Sequence, residues 1–235
     1  GVNLKFGVYN NYGMDKDKVS DLLLFYSSKD KKYVTLDEYV SRMKDGQKEI
    51  YYACGETIDK IELLPQVEAV LDKGYEVLYL TEYVDEFALQ TLMEYKEKRF
   101  MNVCTNALDL DTEEEKEQIK KENEEFKDML NIMKEAIPEV KEVRFTNKLK
   151  GHPVCLTSEG GISVEMEKVI NAMPNSEKVS SSLTLEINDS HPILTKLKDL
   201  YKNNAEEFEK YTKVLYAQSK LIEGLPIDNP TELSN

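Results

Sequence analysis

Cysteine is scarce in this chain, and its apolar runs are short. Three cysteines occur among 235 residues, Cys54, Cys104 and Cys155, and each lies in an apolar context. An odd, sparse set without a secretion signal indicates reduced, buried thiols rather than disulfides. No apolar run approaches the roughly 18 residues of a membrane span, and the first residues lack a basic region followed by an apolar core. We therefore expect a cytoplasmic protein with no membrane partner.

Basic residues are too few to balance the acidic ones. The chain has 45 Asp and Glu against 31 Lys and Arg, for a formal net charge of -14. Such a surface repels phosphates, so we expect no nucleic-acid partner. The acidity is concentrated in residues 109–125, where lysines are interspersed with the acids. This pattern is typical of a solvated helix face rather than of a specific site for a basic partner.

Motifs that carry enzyme chemistry are also lacking. The segment Cys54-Gly-Glu-Thr57 offers one glycine, where a dinucleotide fingerprint needs three, and its Glu56 would repel a phosphate. His152 and Cys155 have the spacing of half a zinc site, but no second pair lies nearby. A cysteine nucleophile would have only His152 or His191 as its base. We expect no catalytic, cofactor-binding or metal-binding residue.

The most informative stretch of the chain is residues 33–54. Thr35 and Glu38 have the spacing of a capping box, which predicts a helix that runs to Met43 and is broken at Asp45-Gly46. Residues 49–54, EIYYAC, are β-branched, aromatic and apolar between polar neighbours. They predict a buried strand.

Strands and helices alternate around this stretch. We predict helices at residues 15–27 and 84–98, a short helical pair between Gly55 and Gly74, and further strands at residues 75–80 and 100–104. The crossovers between the three strands are short, which implies parallel pairing and right-handed connections. The expected fold is a small three-layer α/β unit with a short parallel sheet.

Composition changes near residues 108–115, from apolar strands to charged helix. We place a domain boundary there and predict an α+β domain beyond it, with C-terminal helices. Its predicted helices are residues 111–136, 161–173, 191–203 and 205–222, and its predicted strands are residues 140–147, 154–157 and 183–187. Asp189 or Ser190 is expected to cap the third helix, and residues 229–232 have the pattern of a new helix start.

Two segments place apolar side chains in polar settings. The helix predicted at 161–173 aligns an apolar stripe opposite Glu and Lys; its members are Ile162, Met166, Val169, Ile170 and Met173. Core packing is the ordinary explanation, and a surface that accepts varied partners is the alternative, because methionine is unbranched and polarizable. Phe87 follows two acids, and it is either a core residue or an exposed anchor.

The last predicted helix carries a heptad-like seam. Its residues follow one another at steps of three and four: Phe208, Tyr211, Leu215, Gln218 and Ile222. Such a seam suits association between helices.

Three long motifs resemble the heat-shock protein 90 family of molecular chaperones, of the bacterial HtpG type. They are YVSRMKDGQKEIYYACGE at residues 39–56, KGYEVLYLTEYVDEF at 73–87 and LTLEINDSHPI at 183–193, and they stand in the order of the family. The resemblance covers almost the whole chain. It implies that residues 1–110 are the distal, small α/β/α part of the middle domain. Residues 111–235 would then be the C-terminal dimerisation domain, with its last helix truncated.

The resemblance also carries expectations about cofactors. In the family an N-terminal ATPase domain precedes these two domains. The resemblance therefore implies that the fragment lacks the ATPase site, is not an enzyme and binds no cofactor. ATP and Mg would belong to the missing N-terminal domain of the parent protein.

The resemblance assigns roles to particular residues. Client contact falls on a DE-aromatic motif and on an amphipathic helix, that is, on Glu86, Phe87, Gln90, Ile162, Met166, Val169 and Ile170. The dimer interface falls on Phe208, Tyr211, Leu215, Gln218, Ile222 and Leu233. The implied function is that of a non-catalytic part of an ATP-dependent chaperone, which binds unfolded or partly folded client proteins and homodimerises. The alternative is a small nucleotide- or thiol-dependent α/β enzyme with a helical tail.

Overall fold

A computed structural model describes residues 20–105, 107–159 and 162–227, and these divide into two units. Unit 1 holds residues 20–63, Val70–Val103 and Glu165–Val179; unit 2 holds Leu64–Ala69 and the described residues of 104–164 and 180–227. Within the described residues, no helix is long and apolar enough to cross a membrane. The start of the helix predicted at 15–27, the helix start predicted at 229–232 and Leu233 lie outside these residues.

Strands and short helices alternate along most of the described chain. The strands are β1 (Leu24–Ser27), β2 (Tyr33–Thr35), β3 (Glu49–Cys54), β4 (Leu78–Leu80), β5 (Glu94–Tyr95), β6 (Lys98–Asn102), β7 (Glu142–Thr146), β8 (Val154–Glu159) and β9 (Ser182–Asn188). The helices are α1 (Leu36–Ser41), α2 (Ile58–Glu62), α3 (Pro65–Asp72), α4 (Asp85–Leu92), α5 (Glu113–Glu125), α6 (Lys127–Ala136), α7 (Val164–Ala172), α8 (Ile193–Asn203) and α9 (Ala205–Ile222).

The sheet of unit 1 is mixed. Its strand order is β2-β1-β4-β3-β6-β5. The three strands predicted from the sequence pair in parallel, with β3 between β4 and β6. Strands β1, β2 and β5 add antiparallel pairs at the two sides, and they were not predicted from the sequence. They are only two to four residues long, too short for a periodic pattern to show.

The informative stretch folds as its sequence predicts. The Thr35 hydroxyl accepts from the Glu38 amide at 3.1 Å, and the Glu38 carboxylate accepts from the Thr35 amide at 2.7 Å, so the capping box is confirmed. The strand predicted at residues 49–54 is β3. After α3, Gly74 has a φ of +76°, a left-handed conformation that glycine adopts without steric cost.

Tyr39 holds α1 against the sheet of unit 1. Its buried hydroxyl donates to the backbone oxygen of Glu76 at 2.8 Å and accepts from the amide of Tyr51 at 3.0 Å. The side-chain amide of Gln47 also donates to it, at 3.2 Å. Burial raises the pKa of Tyr39, so the hydroxyl stays protonated and can donate. One side chain thus joins α1, β3 and the segment before β4.

The helix predicted at residues 15–27 is wrong over its second half. Residues from Leu24 to Ser27 form β1, in which Phe25 and Ser27 are buried and Leu24 is exposed. The helix was predicted from Leu22, Leu23 and Tyr26, whereas the residues that are buried, Leu23, Phe25 and Ser27, alternate as in a strand. Pairing with β2 and β4 decides between the two patterns.

The helix predicted at residues 84–98 is also too long. It ends at Leu92, and Met93 follows with a φ of +67°. Lys96 and Glu97, at φ of +48° and +61°, then form the turn between β5 and β6. Neither is a residue that favours positive φ, so the hairpin has no turn signal in the sequence. The strands predicted at 75–80 and 100–104 are found at Leu78–Leu80 and Lys98–Asn102.

Unit 2 is built on a three-stranded sheet of order β7-β9-β8. Strand β9 is parallel to β7 and antiparallel to β8. One face of the sheet packs with α6, α8 and α9 into an apolar core. Its largest fully buried aromatic side chains are Phe145 of β7 and Phe208 of α9.

A row of polar side chains crosses the other face of this sheet. Arg144, Glu186 and Cys155 are successive register partners on β7, β9 and β8. The guanidinium of Arg144 donates through Nε to Oε1 of Glu186 at 2.9 Å and through a second nitrogen to the same oxygen. Glu186 is only 2% exposed, so the pair holds a charge inside the fold.

Two helix predictions in unit 2 need correction. The helix predicted at 111–136 is interrupted at Phe126, which has φ of -106° and ψ of 21°, so α5 and α6 are separate helices. The cap predicted from Asp189 or Ser190 is wrong, because the N-cap position of α8 is Pro192 and the amide of Ile193 donates instead to Nδ1 of His191 at 3.1 Å. Ser190 instead donates to the side chain of Asn188 through its amide and its hydroxyl.

Candidate functional site

A pocket opens in unit 1 where the parallel strands β3 and β4 end. Segments that leave the carboxyl ends of adjacent parallel strands lie side by side, and ligands of α/β sheets bind at this edge. Here the amide of Gly55, just after β3, donates to the backbone oxygen of Leu80 at 3.1 Å. The pocket has a volume of about 130 Å³. Its lining residues are Cys54, Gly55, Glu56, Leu80, Thr81, Glu82, Tyr83, Glu86, Phe87, Glu165, Met166 and Val169.

Gly55 lets α2 approach this edge closely. A Cβ atom at this position would lie 2.7 Å from Cγ1 of Ile61, a buried residue of α2. Any other residue would push α2 away from the end of β3. Gly55, the single glycine of the segment that was tested for phosphate binding, therefore has a packing role.

Helix α4 supplies one wall of the pocket. The buried carboxylate of Glu86 accepts from the side-chain amide of Asn102 at 2.8 Å and from the hydroxyl of Tyr52 at 3.3 Å. Phe87, the next residue, is half-buried and lines the pocket. Glu86 thus anchors the start of α4 to β3 and β6, and Phe87 presents apolar surface.

Helix α7 supplies the facing apolar side chains. Met166 and Val169 are three residues apart, so they share one face of the helix, and both line the pocket. The side-chain amide of Gln90, on α4, lies 3.1 Å from the sulfur of Met166. The two segments that the resemblance assigned to client contact, separated by 76 residues between Gln90 and Met166, therefore meet at one pocket.

Three of the predicted client residues are not among the lining residues of this pocket. Ile162 and Ile170 are half-buried, and Gln90, which is exposed on α4, contacts the sulfur of Met166 from outside the lining. Five lining residues that were not predicted lie in the segments after β3 and β4: Gly55, Glu56, Thr81, Glu82 and Tyr83. The sequence could have indicated these residues, because they follow two predicted parallel strands and ligands of α/β sheets bind at the carboxyl ends of such strands.

The lining of the pocket is acidic. It contains Glu56, Glu82, Glu86 and Glu165, and no Lys, Arg or His among the described residues. Lys60 pairs with Glu56 and Lys168 pairs with Glu165 at 2.7 Å, both from outside the lining. The hydrogen bond from Lys60 lowers the pKa of Glu56, which keeps this carboxylate ionised.

The residues of α9 that were predicted for the dimer interface differ in their exposure. Phe208 and Leu215 are 1% and 3% exposed and belong to the core of unit 2, so they are not available to a partner. Tyr211 and Ile222 are half-buried, and Gln218 is exposed. The predicted seam therefore mixes the inner and outer faces of the helix.

A second stripe on α9 is accessible. It runs at steps of three, four and three through Tyr211, Val214, Gln218 and Leu221, and we call it the outer stripe. Val214 and Leu221 are 44% and 64% exposed. This spacing is the one that a helix needs to pack against another helix.

His152 and Cys155, the residues of the zinc and thiol hypotheses, each contact a different glutamate. Nε2 of His152 lies 3.7 Å from Glu68, whereas the sulfur of Cys155 lies 3.8 Å from Glu186. All three cysteines, which lie within the described residues, are free as predicted, although Cys54 and Cys104 are only half-buried. Burial and then the carboxylate of Glu186 raise the pKa of Cys155. A buried thiol held in its protonated form is a poor nucleophile.

Comparison with known proteins identifies the class to which this fold and site belong. The family model described as Hsp90 protein matches residues 1–235. The chain belongs to the heat-shock protein 90 family of chaperones.

Its relatives include several bacterial proteins named chaperone protein HtpG. That of Bacillus subtilis (strain 168) is 51% identical over 236 residues, which cover 100% of this chain and 38% of the relative. That of Clostridium perfringens (strain 13 / Type A) is 52% identical, covering 100% of this chain and 37% of the relative. That of Clostridium acetobutylicum is 51% identical, covering 100% and 38%. The chain thus spans less than two fifths of the length of these relatives.

These matches correct the expectations about enzyme activity and cofactors. The chain was expected to lack the ATPase site of the family, to be no enzyme and to bind neither ATP nor Mg. The Hsp90 model takes in the whole of residues 1–235, and the HtpG relatives match the chain over its full length. The chain is Hsp90 protein throughout, and that exclusion of ATPase activity, ATP and Mg does not stand.

Proposed function

We propose that this chain binds unfolded or partly folded client protein at the pocket of unit 1. The observation that carries the proposal is the convergence of Phe87 and Met166, from distant segments, on one pocket. Phe87 and Val169 are half-buried there, whereas Met166 is 6% exposed. A half-buried aromatic ring beside a flexible methionine can accept side chains of different shapes. Tyr83, 54% exposed beside the same pocket, extends the surface.

We further propose that the chain homodimerises through the outer stripe of α9. The exposed apolar side chains of Val214 and Leu221 support this, because a helical stripe of this spacing is stabilised by a partner helix. The inner residues Phe208 and Leu215 would support the interface only indirectly, by fixing α9 on unit 2.

The place of the chain in the family architecture is part of the same proposal. Residues 1–110 would form the distal, three-layer α/β part of the middle domain, and residues 111–235 the C-terminal dimerisation domain. Two separate apolar cores, one in each unit, support a division into two domains. The three family motifs at 39–56, 73–87 and 183–193 support the assignment. We propose a cytoplasmic location for the whole chaperone.

Binding of a model client tests the first proposal. Removing the Phe87 ring in Phe87→Ala should weaken binding of a fluorescently labelled, permanently unfolded protein about tenfold, measured by anisotropy. Val169→Ala should weaken it less, because two carbon atoms are lost rather than the six of the ring. Met93→Ala is the matched control, since Met93 is 70% exposed in unit 1 but does not line the pocket. Unchanged affinity in both pocket variants would overturn the proposal.

Sedimentation velocity over a range of concentrations tests the dimer. The chain should associate with rising concentration, and Leu221→Glu should shift it to monomer, because a charge is placed on an apolar interface. Leu63→Glu is the control, since Leu63 is 71% exposed in unit 1. A chain that stays monomeric, or equal association of the wild type and Leu221→Glu, contradicts the proposed interface.

A further inference from the structure

Strand β7 lies at one end of the sheet of unit 2, and a side chain of α5 covers its outer edge. Among the described strands the sheet has the order β7-β9-β8, so β7 has a neighbouring strand on one side. On the other side, the amide of Phe145 donates to Oδ1 of Asn123 at 2.9 Å, and Nδ2 of Asn123 donates to the backbone oxygen of Phe145 at 3.3 Å. A carboxamide presents a carbonyl oxygen and an N–H donor, as a peptide group does. Asn123 therefore lies where a neighbouring strand would pair.

Helix α5 adds little apolar surface to the core of unit 2. None of its residues, all of which the structure describes, is buried, whereas the following helix α6 buries three. Beside Asn123, the carboxylate of Glu122 accepts from Nζ of Lys198, on α8, at 3.0 Å. An open groove of about 570 Å³ lies along α5 and reaches Lys198. Because apolar burial supplies most of the free energy that holds a helix in place, α5 should separate from the sheet more easily than α6.

Contacts within α5 stabilise its own helical structure, so the helix can move without unfolding. The Thr112 hydroxyl accepts from the Glu115 amide at 3.2 Å, and the Glu115 carboxylate accepts from the Thr112 amide at 2.7 Å, which forms a capping box. Lys121 pairs with Glu117 one turn away at 3.2 Å. At the other end, φ of -106° and ψ of 21° at Phe126 depart from helical values. This break is a pivot between α5 and α6.

Separation of α5 would leave the backbone groups of Phe145 without their present partner. An added strand satisfies such groups through main-chain hydrogen bonds, which do not depend on its sequence. The side chains of Val143 and Phe145 belong to the apolar core, and Arg144 between them faces the other side of the sheet. A strand beside β7 would continue this alternation, so the segment that fits has apolar and polar residues in turn.

We propose that α5 is a hinged cover of the edge of β7, and that an extended polypeptide segment of alternating apolar and polar residues adds to this edge when α5 moves away. Asn123 and Lys198 hold the cover closed. All of these elements belong to unit 2, so the site is a second binding surface that does not depend on the pocket of unit 1. It binds a backbone rather than a single side chain, which suits segments of an unfolded chain.

Two forms of one fluorescent peptide, added to the full chain, test this inference by anisotropy. The peptide alternates Val and Thr over about six residues, the length of an ordinary strand, between flanking lysines that keep it soluble. In the second form every amide of the Val and Thr residues is N-methylated, which removes the main-chain donors and keeps the charge. The unmodified peptide should bind Asn123→Ala about tenfold more tightly than the wild type, because the competing hydrogen bonds of the cover are lost. The N-methylated peptide should bind neither protein.

Two further variants assign the effect to the cover. Lys198→Met removes the ion pair with Glu122 but leaves Asn123 in place, and it should tighten binding of the unmodified peptide about threefold. Asn203→Ala is the matched control, since Asn203 is an exposed asparagine of α8 that bonds to Asp199 at 2.8 Å; it should leave the affinity unchanged. Phe87→Ala should also leave it unchanged, so that this site is distinguished from the proposed client pocket.

Hydrogen exchange measures the movement of the cover itself. In Lys198→Met the amide of Phe145 should exchange about threefold faster than in the wild type, while the amide of Leu185, in the central strand β9, keeps its protection. If both amides lose protection together, the variant destabilises the whole unit and the hinged cover is overturned. Equal binding of the two peptide forms, or no gain in binding in Asn123→Ala, overturns strand addition at this edge.

Discussion

Replacing Arg144 by methionine should destabilise unit 2 strongly. The Glu186 side chain is 3% exposed and that of Arg144 is 28% exposed, so the variant leaves a carboxylate inside the fold without its guanidinium partner. Breaking a buried pair from one side costs about 3 to 5 kcal/mol. Because water reaches part of the arginine, we expect the lower end of that range, about 3 kcal/mol, which is more than a hundredfold in the unfolding equilibrium.

The same pair gives a sharp control. Replacing both residues, as Arg144→Met with Glu186→Leu, removes the charge and its partner together, so the double variant should lie within about 1 kcal/mol of the wild type. Hydrogen exchange of the β9 amides in urea measures the effect on unit 2 directly, which matters because a chain of two units need not unfold in one step. Equal protection in wild type and single variant, or a double variant as unstable as the single, would refute the reasoning.

Three further substitutions test other parts of the structure. Tyr39→Phe removes the hydroxyl that bonds to Glu76, Tyr51 and Gln47, and it should cost unit 1 about 2 kcal/mol, measured by exchange of the β3 amides; unchanged protection contradicts the role assigned to this hydroxyl. Gly74→Ala should cost about 1 kcal/mol because of the positive φ, and a thermal melt that does not fall would argue against that conformation. Burial raises the pKa of Asp189, so its ionisation opposes folding as the pH rises from about 4, its unfolded value, through the folded value. Asp189→Asn should therefore stabilise unit 2 at pH 8 and give no gain below about pH 4, and a gain at low pH alone would contradict the sign.

Long local patterns allowed much of the fold to be predicted. The capping box at Thr35, the strand β3 and the whole of α9 have bounds or contacts that the sequence dictates by itself. Elements held mainly by their neighbours were missed. Leu23, just before β1, and Phe25 and Ser27, within it, are buried in alternation, and the pairing of β1 with β2 and β4 fixes which of its residues are buried. The hairpin of β5 and β6 turns through two residues with positive φ, neither of which is glycine or asparagine.

The seam on α9 shows the limit of such patterns most clearly. Periodicity predicts that a helix has an apolar face, but α9 has two adjacent stripes, and the predicted seam took residues from both. Phe208 and Leu215 are buried because they pack against the apolar face of the sheet of unit 2. Tyr211 is half-buried against the same core, and Val214, Gln218 and Leu221 are exposed. Which face of α9 is buried depends on residues of unit 2 that are far from α9 in sequence. A pattern within the helix does not contain that information.

The residues after β3 match no phosphate-binding motif, but Gly55 and Glu56 line the pocket of unit 1. Glu56 argues against a phosphate site when only its own segment is considered. In the structure the same carboxylate lines a pocket together with Glu82, Glu86 and Glu165 and with apolar side chains. An edge of parallel strands positions ligands of any charge, and the side chains that follow the strands decide which. Here the described lining combines carboxylates with apolar side chains and contains no Lys or Arg that could hold a phosphate.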